Sequence, residues 1–217
     1  LIAMHISESE SGPSVSGGPL PPRQLADRLA AGAVVLMPTD TLVALAACPA
    51  HAAQIWGLKQ RPAEKPLILM AADLEQLEPV LGWAWRAEWL QLARSGWPGA
   101  LTLVLPARGP WAEQLNPGGG SLGLRIPDCD VVRDLLRCTG PLATTSANPS
   151  GWPAAETPDA ARRYFPDLSL LGPLPWPPAA GQASTVLAWQ GPIDPAQGSG
   201  RWQVLRAGAF LPPELEP

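Results

Sequence analysis

Apolar residues at Leu25 and Leu29, ending at Gly32, give the spacing of one face of a short helix that opens at Pro21. The next run, Ala33-Val34-Val35-Leu36-Met37, shows no polar alternation, as a strand buried on both faces requires. Pro38-Thr39-Asp40-Thr41 breaks it, and Leu42–Ala47 predicts a second strand. A helix over Ala50–Leu58, a turn at Arg61-Pro62, a strand over Pro66–Met70 and a capping box between Asp73 and Gln76 follow. Trp85, Trp89 and Leu92 fall on one stripe of a helix over Trp85–Arg94, with most tryptophans read as packing residues, and Leu101–Leu105 predicts a strand beyond Trp97-Pro98-Gly99. The pattern then gives a strand over Ser121–Ile126, a helix over Asp128–Cys138, and a strand over Leu142–Thr145 that runs into Ser146-Ala147-Asn148-Pro149-Ser150-Gly151. Thr157-Pro158-Asp159 opens another helix, Pro173–Pro178 is a proline-rich loop, and Thr185–Leu187 and Trp202–Leu205 are late strands. Helices interleaved with strands along the whole chain indicate one α/β domain.

That domain is assigned to residues 20–210, between a disordered tail over 1–19, rich in Ser, Gly, Pro and Glu, and a short C-terminal tail over 211–217. The 28 prolines and 21 glycines among 217 residues favour many short elements and exclude a coiled coil. A net charge of −4 argues against an extended basic face for nucleic acid but leaves room for a local cationic pocket. The three cysteines, Cys48, Cys129 and Cys138, and two histidines, His5 and His51, lack metal-ligand spacing, so a reduced protein with no bound metal is expected. No apolar run approaches the roughly 20 residues of a membrane span, and the start lacks a secretory layout, which places the expectation in the cytoplasm.

Gly119-Gly120-Ser121-Leu122-Gly123 matches G-x-S-x-G, but no histidine follows His51, so the hydrolase order Ser, Asp, His is impossible. With no G-x-x-x-x-G-K-[ST] loop and no strand-to-helix G-x-G-x-x-G, a nucleotide site must be built from side chains. The cations are informative: of 15 basic residues only two are lysines, Lys59 and Lys65, and both lie in Lys59-Gln60-Arg61-Pro62-Ala63-Glu64-Lys65. A lysine ammonium is a compact point charge suited to phosphate, whereas the alternative is a solvated helix end. Pro38-Thr39-Asp40-Thr41 and Thr144-Thr145-Ser146-Ala147-Asn148 place hydroxyl and amide groups beyond strand ends, where open α/β sheets hold ligands, although such residues also favour turns.

Seven segments in this order resemble the YrdC-like family of threonylcarbamoyl-AMP synthases: Pro38–Thr41, Lys59–Pro62 with Lys65–Leu67, Trp97–Thr102, Gly123–Pro127, Ser146–Gly151, Ser184–Val186 and Leu205–Gly208. The resemblance implies a single-domain α/β fold, a twisted mixed sheet with flanking helices and a central cavity. It further implies that L-threonine, bicarbonate and ATP, with Mg²⁺ carried on the nucleotide, form threonylcarbamoyl-adenylate and pyrophosphate. Position by position, Thr41, Arg125, Thr144 and Ser184 match threonine contacts. Lys59, Arg61, Lys65, Ser121, Ser146, Asn148 and Arg206 match ATP contacts, with Lys59 and Arg61 as the charge-neutralising pair of the reaction. The product would be handed to a threonylcarbamoyl transferase for tRNA modification, so contact with tRNA is expected to be weak or indirect. Three positions depart from the family pattern: Val43-Ala44 replaces Tyr-Gly, Met70 replaces a histidine of longer members, and Ala154 replaces a small polar residue. The rival reading is a non-catalytic paralogue that binds nucleotide or structured, double-stranded RNA.

Overall fold

A computed structural model describes residues 18–60, 62, 65–210 and 212. Arg61, most of the expected N-terminal tail and most of residues 211–217 lie outside the described residues.

The chain opens with a two-residue strand, β1 (Pro19–Leu20), and helix α1 (Pro22–Ala30), whose proline start needs no N–H donor and whose Leu25 and Leu29 are fully buried. Strands β2 (Val35–Met37) and β3 (Ala44–Ala47) are buried at every residue, as the unbroken apolar run required. Helix α2 (Ala53–Lys59) ends at Gln60, which takes the left-handed conformation, φ 49°, that stops a helix. Strand β4 (Ile68–Met70) leads into α3 (Leu74–Leu77), where half of the expected capping box forms: the Asp73 carboxylate accepts from Gln76 N–H, while Gln76 Oε1 accepts from Ala72 N–H, one residue before the N-cap.

Helix α4 (Ala87–Gly96) starts two residues later than the Trp85 stripe predicts. Arg86 takes an extended backbone there because its buried guanidinium is held by Pro192 O at 2.8 Å, Gly198 O at 2.9 Å and Glu88 at 2.6 Å. Strand β5 (Leu101–Pro106), helix α5 (Pro110–Leu115), strand β6 (Ser121–Arg125), helix α6 (Asp130–Thr139) and strand β7 (Leu142–Ser146) follow. Helix α7 (Pro158–Tyr164) is capped by the Thr157 hydroxyl, and strands β8 (Leu170–Leu171), β9 (Thr185–Gln190) and β10 (Arg201–Arg206) complete the set. The sequence pattern did not reveal α5, β1 or β8: six residues or fewer carry no measurable period.

The strands form one ten-stranded mixed sheet in the order β1-β8-β2-β3-β7-β4-β6-β5-β9-β10. One face carries Leu36, Leu45, Leu69, Leu124, Leu103 and Leu187 and packs against Ile55, Leu77, Trp89, Leu115 and Ala161 of five helices. The other carries Val35, Met37, Ala44, Ala46, Met70 and Leu142, which pack against Leu25 and Leu29 of α1 and Val132, Leu135 and Leu136 of α6. Each such leucine contributes about 1.5–3 kcal/mol by leaving water. Helices α1 and α6 cover only one end of this second face. The rest of it turns Thr144, Arg125 and Ser184 toward an open cavity, with the buried Thr102 bonded to Ser184 behind it.

Candidate active site

The cavity encloses about 180 Å³ and has its floor on the sheet. Ile68 pairs with Thr144 on one side and Gly123 on the other, and Met70 pairs with Leu142 and Arg125, so period-two alternation sets Thr144, Ile68, Met70 and Arg125 on a single face. Thr144 donates its hydroxyl proton to Ile68 O at 3.0 Å, leaving its lone pairs to the cavity. Ser184 and Thr102, both buried, share a hydroxyl hydrogen bond of 2.8 Å across β5 and the start of β9.

Arg125 is the centre of charge. Its Nε donates to Gly99 O at 3.1 Å, Nη1 to Thr41 Oγ1 at 2.9 Å, and Nη2 to Asp40 Oδ1 at 2.6 Å. Burial pushes its pKa down, the Asp40 carboxylate opposes that shift through charge and hydrogen bond, and the positive charge of Arg206 adds to the lowering. Three of the five guanidinium N–H groups are engaged by described residues, which leaves two for a ligand. Thr39 fixes the other side of Thr41. Its hydroxyl donates to Leu42 O at 2.6 Å, so the 2.9 Å contact with Thr41 takes its proton from Thr41, which in turn accepts from Arg125. The backbone of Asp40 and Thr41 is itself strapped down, since Ala180 N–H donates to Asp40 O and Gly181 N–H to Thr41 O.

Arg206 reaches the same cavity through an irregularity of the sheet. Trp202 faces Trp189 and Val204 faces Leu187 on the helix-covered side, so simple alternation would send Arg206 there too. The register shifts between Val204 and Arg206, Arg206 falls opposite Val186, and its side chain turns to the cavity rim, where Nε and Nη2 donate to Ser184 O at 3.0 and 2.8 Å. Gly208 is required two residues on: a Cβ there would lie 2.2 Å from Ala183 O and 2.4 Å from Ser184 C.

Lys59 is 2% exposed, which corrects the solvated helix end. Its ammonium donates to Ser146 O and, at 3.2 Å, to Asn148 Oδ1, while Ser146 Oγ donates to the same Oδ1 at 2.6 Å. Asn148 Nδ2 continues to Pro149 O and Trp152 O, so lysine, serine and asparagine form one network behind the cavity wall. Lys65 is exposed beside the cavity-lining Pro66, and its carbonyl accepts from Trp56 Nε1 at 3.0 Å.

Thr41, Arg125, Thr144, Ser146, Ser184 and Arg206 therefore line one cavity. Lys59 and Asn148 support its Ser146 wall, and Lys65 flanks it. Ser121 sits outside the lining, two residues before Gly123 on β6, with its hydroxyl accepting from Asn116 Nδ2 at 3.2 Å. Arg61 lies outside the described residues. Sequence reasoning missed Thr39, Asp40 and Thr102 as individual contributors, although all three lie inside segments it quoted; only the fold shows that they orient Arg125, Thr41 and Ser184.

A family model for Sua5, YciO and YrdC proteins, described as telomere recombination, matches residues 27–208. This chain belongs to the Sua5/YciO/YrdC family. Among relatives, a threonylcarbamoyl-AMP synthase of Stutzerimonas stutzeri is 36% identical over 147 residues, 66% of this chain and 79% of that protein. A threonylcarbamoyl-AMP synthase of Pseudomonas putida is 35% identical over 158 residues, 70% of this chain and 85% of that protein. Among solved structures, Sua5 of P. abyssi in its H234A/Y235A form superposes with a TM-score of 0.77 at 28% identity, covering 89% of this chain and 57% of that one. P. abyssi Sua5 complexed with L-threonine gives 0.71 at 29% identity, covering 77% of this chain and 50% of that one. This member thus spans little more than half the length of P. abyssi Sua5. YciO of E. coli shares the fold, with a TM-score of 0.68 at 22% identity and coverage of 86% and 88% of the two chains. The expected twisted mixed sheet with flanking helices is the fold of this family.

Proposed function

We propose that this chain is a threonylcarbamoyl-AMP synthase, which forms threonylcarbamoyl-adenylate and pyrophosphate from L-threonine, bicarbonate and ATP for threonylcarbamoyladenosine in tRNA. The observation that carries the reading is Arg125: a buried guanidinium with two N–H groups to spare, among the hydroxyls of Thr41, Thr144 and Ser184 in a cavity of about 180 Å³. A guanidinium fork suits a carboxylate, and the surrounding hydroxyls suit a small polar amino acid. The volume is below the roughly 300–1,000 Å³ of sites that enclose a drug-sized ligand, so a nucleotide lies across the mouth, not inside. Arg206 stands at that mouth, with Ser146 in the wall and Lys65 alongside; Ser121 and Arg61 complete the proposed ATP set.

Threonine binds with its carboxylate on Arg125, and its neutral amine condenses with bicarbonate: the new N–C bond forms as a C–O bond of bicarbonate breaks, and water leaves with the displaced oxygen and a proton of the amine, giving a carbamate. A carbamate oxygen then attacks the α-phosphorus of ATP; the new O–P bond forms as the bond to pyrophosphate breaks. An anion approaches a polyanion, so the protein's tasks are positioning and charge neutralisation, shared by Arg206, Lys65 and Arg61, with Lys59 holding Ser146 in place. Mg²⁺ belongs to the nucleotide's phosphates in this scheme; among the described residues no three His, Cys, Asp or Glu side chains converge on a metal position.

The adenylate is a reactive mixed anhydride, which implies transfer to a separate tRNA-modifying transferase, with tRNA itself met weakly or not at all at a net charge of −4. No helix among the described residues is long and apolar enough to cross a membrane, and the proposed location is the cytoplasm. The test is pyrophosphate release from ATP with threonine and bicarbonate each supplied or omitted. Dependence on both is expected. Release that ignores threonine refutes the proposal, and no release beside tight nucleotide or RNA binding identifies the non-catalytic paralogue.

A further inference from the structure

The hydroxyl protons of the cavity have separate destinations. Thr39 donates to Leu42 O, Thr41 to Thr39 Oγ1, Thr144 to Ile68 O at 3.0 Å, and Ser146 to Asn148 Oδ1 at 2.6 Å. Thr145 pairs with Leu45 and so turns its side chain to the helix-covered side of the sheet. Of the lining hydroxyls that face the cavity, that leaves Ser184. Its oxygen meets Thr102 Oγ1 at 2.8 Å and Arg206 Nη2 at 3.3 Å. A guanidinium can only donate, so one lone pair of Ser184 Oγ is taken by Arg206.

Burial decides the direction of the other bond. Thr102 is fully buried, and among the described residues its hydroxyl has no partner but Ser184. Were Ser184 the donor, the Thr102 proton would be shut away from water with no acceptor, whereas Ser184 borders the cavity, where water or a ligand accepts. Thr102 therefore donates, and the Ser184 proton is left to the cavity. We infer that Thr102 is a positioning residue of the amino-acid site: by donating to Ser184 it aims the Ser184 proton into the cavity, as a donor additional to the two spare N–H groups of Arg125, for an anionic oxygen of the bound amino acid. Thr144, its own proton given to Ile68 O, offers lone pairs instead and suits the amine. The inference rests on the proposed use of an amino-acid substrate in this cavity.

Thr102→Val and Thr102→Ser test it in the full chain, with kcat and KM read from pyrophosphate release. Thr102→Val keeps the shape and removes the hydroxyl. The KM for threonine is expected to rise roughly 2- to 12-fold, the net contribution of one hydrogen bond, with kcat and the KM for ATP unchanged. Thr102→Ser keeps the hydroxyl and loses only the methyl group, and its KM for threonine is expected to match the wild type. In a Ser184→Ala background, Thr102→Val is expected to add nothing to the KM for threonine, because its effect runs through the hydroxyl already removed. Should Thr102→Val not fold, Thr102→Ala removes the same hydroxyl and is read against Thr102→Ser in the same way. The positioning role is overturned if loss of the hydroxyl leaves the KM for threonine unmoved, if Thr102→Ser raises it as much, or if the full rise persists in Ser184→Ala. If the wild type itself ignores threonine, the functional reading fails first and the positioning role falls with it.

Discussion

Replacing Asp40 with asparagine tests the charge arrangement of the cavity directly. Arg125 and Asp40 are 4% and 16% exposed and meet at 2.6 Å, so the pair is held largely away from water. Asparagine keeps an oxygen acceptor facing Nη2 but removes the negative charge. The loss is that of a charge-assisted bond, about 1.5–3 kcal/mol, smaller than the roughly 3–5 kcal/mol expected when Asp40→Ala strands the guanidinium altogether. In a domain of this size about 2–4 °C accompanies each kcal/mol, so Asp40→Asn should lower Tm by about 3–12 °C. Thermal and urea unfolding at pH 7 read this, and the threonine-induced rise in Tm supplies the second observable. If the substrate carboxylate sits on Arg125, removing the competing carboxylate of Asp40 leaves that cation less neutralised, and threonine should stabilise the variant more than the wild type at the same concentration. A stability change under about 0.5 kcal/mol would show that the pair is not held in solution. A clear destabilisation with an unchanged threonine effect would remove Arg125 from carboxylate recognition.

Lys59→Arg should lower turnover by roughly 10- to 150-fold if the ammonium's charge-assisted contacts, about 1.5–3 kcal/mol, set the wall of the site; because Lys59 is buried, Tm should also fall, by an overpacking cost of about 1–3 kcal/mol, and wild-type turnover would detach the lysine from the site. The hydrogen bond from Arg86 holds the Glu88 carboxyl below its ordinary range, so the stability it gives is present above the unfolded value near 4.3 and is lost as pH falls through the lower folded value. The Tm difference between wild type and Glu88→Gln should accordingly be largest near neutrality and vanish in acid; a difference independent of pH would refute the ion pair. Burial pushes the thiols of Cys48 and Cys129 up, while Cys138 is exposed; a thiol reagent should titrate one fast group in the folded protein, and Cys138→Ser should abolish that phase.

Much of the fold was legible because burial leaves a periodic trace. The unbroken apolar runs at 33–37 and 66–70 read as buried strands, and the spacing of Leu25 and Leu29 suggested one face of a short helix. What escaped the pattern did so for two physical reasons. Short pieces such as β8, two residues sandwiched between β1 and β2, are defined by their neighbours and not by their own composition. Irregularities break the parity on which pattern reading depends: Trp202, Val204 and Arg206 are all even-numbered positions of one strand, yet the register shift sends Arg206 to the opposite side from Trp202. Of the candidate site, the residue types were visible and the partnerships were not. Asp40 reads as a turn residue beside Pro38 until the fold carries Arg125, 85 positions away, onto its carboxylate.

The same partnerships order the cations by depth, and depth assigns the tasks proposed for them. Arg125 lies at the floor, paired with Asp40 at 2.6 Å and with two guanidinium N–H groups left over, the number that one carboxylate takes in the proposed reading. Arg206 is exposed at the opening, where it donates to Ser184 O, and Lys65 is exposed beside that opening. Lys59 does neither: bonded to Ser146 and Asn148, it ties the end of α2 to the Ser146 wall, 87 residues away in the chain. A change at Lys59 is therefore expected to reach the Ser146 wall, through the Ser146 carbonyl and the Asn148 amide oxygen. In the proposed reading, a small amino acid inside and a nucleotide across the mouth follow this order of the cations by depth.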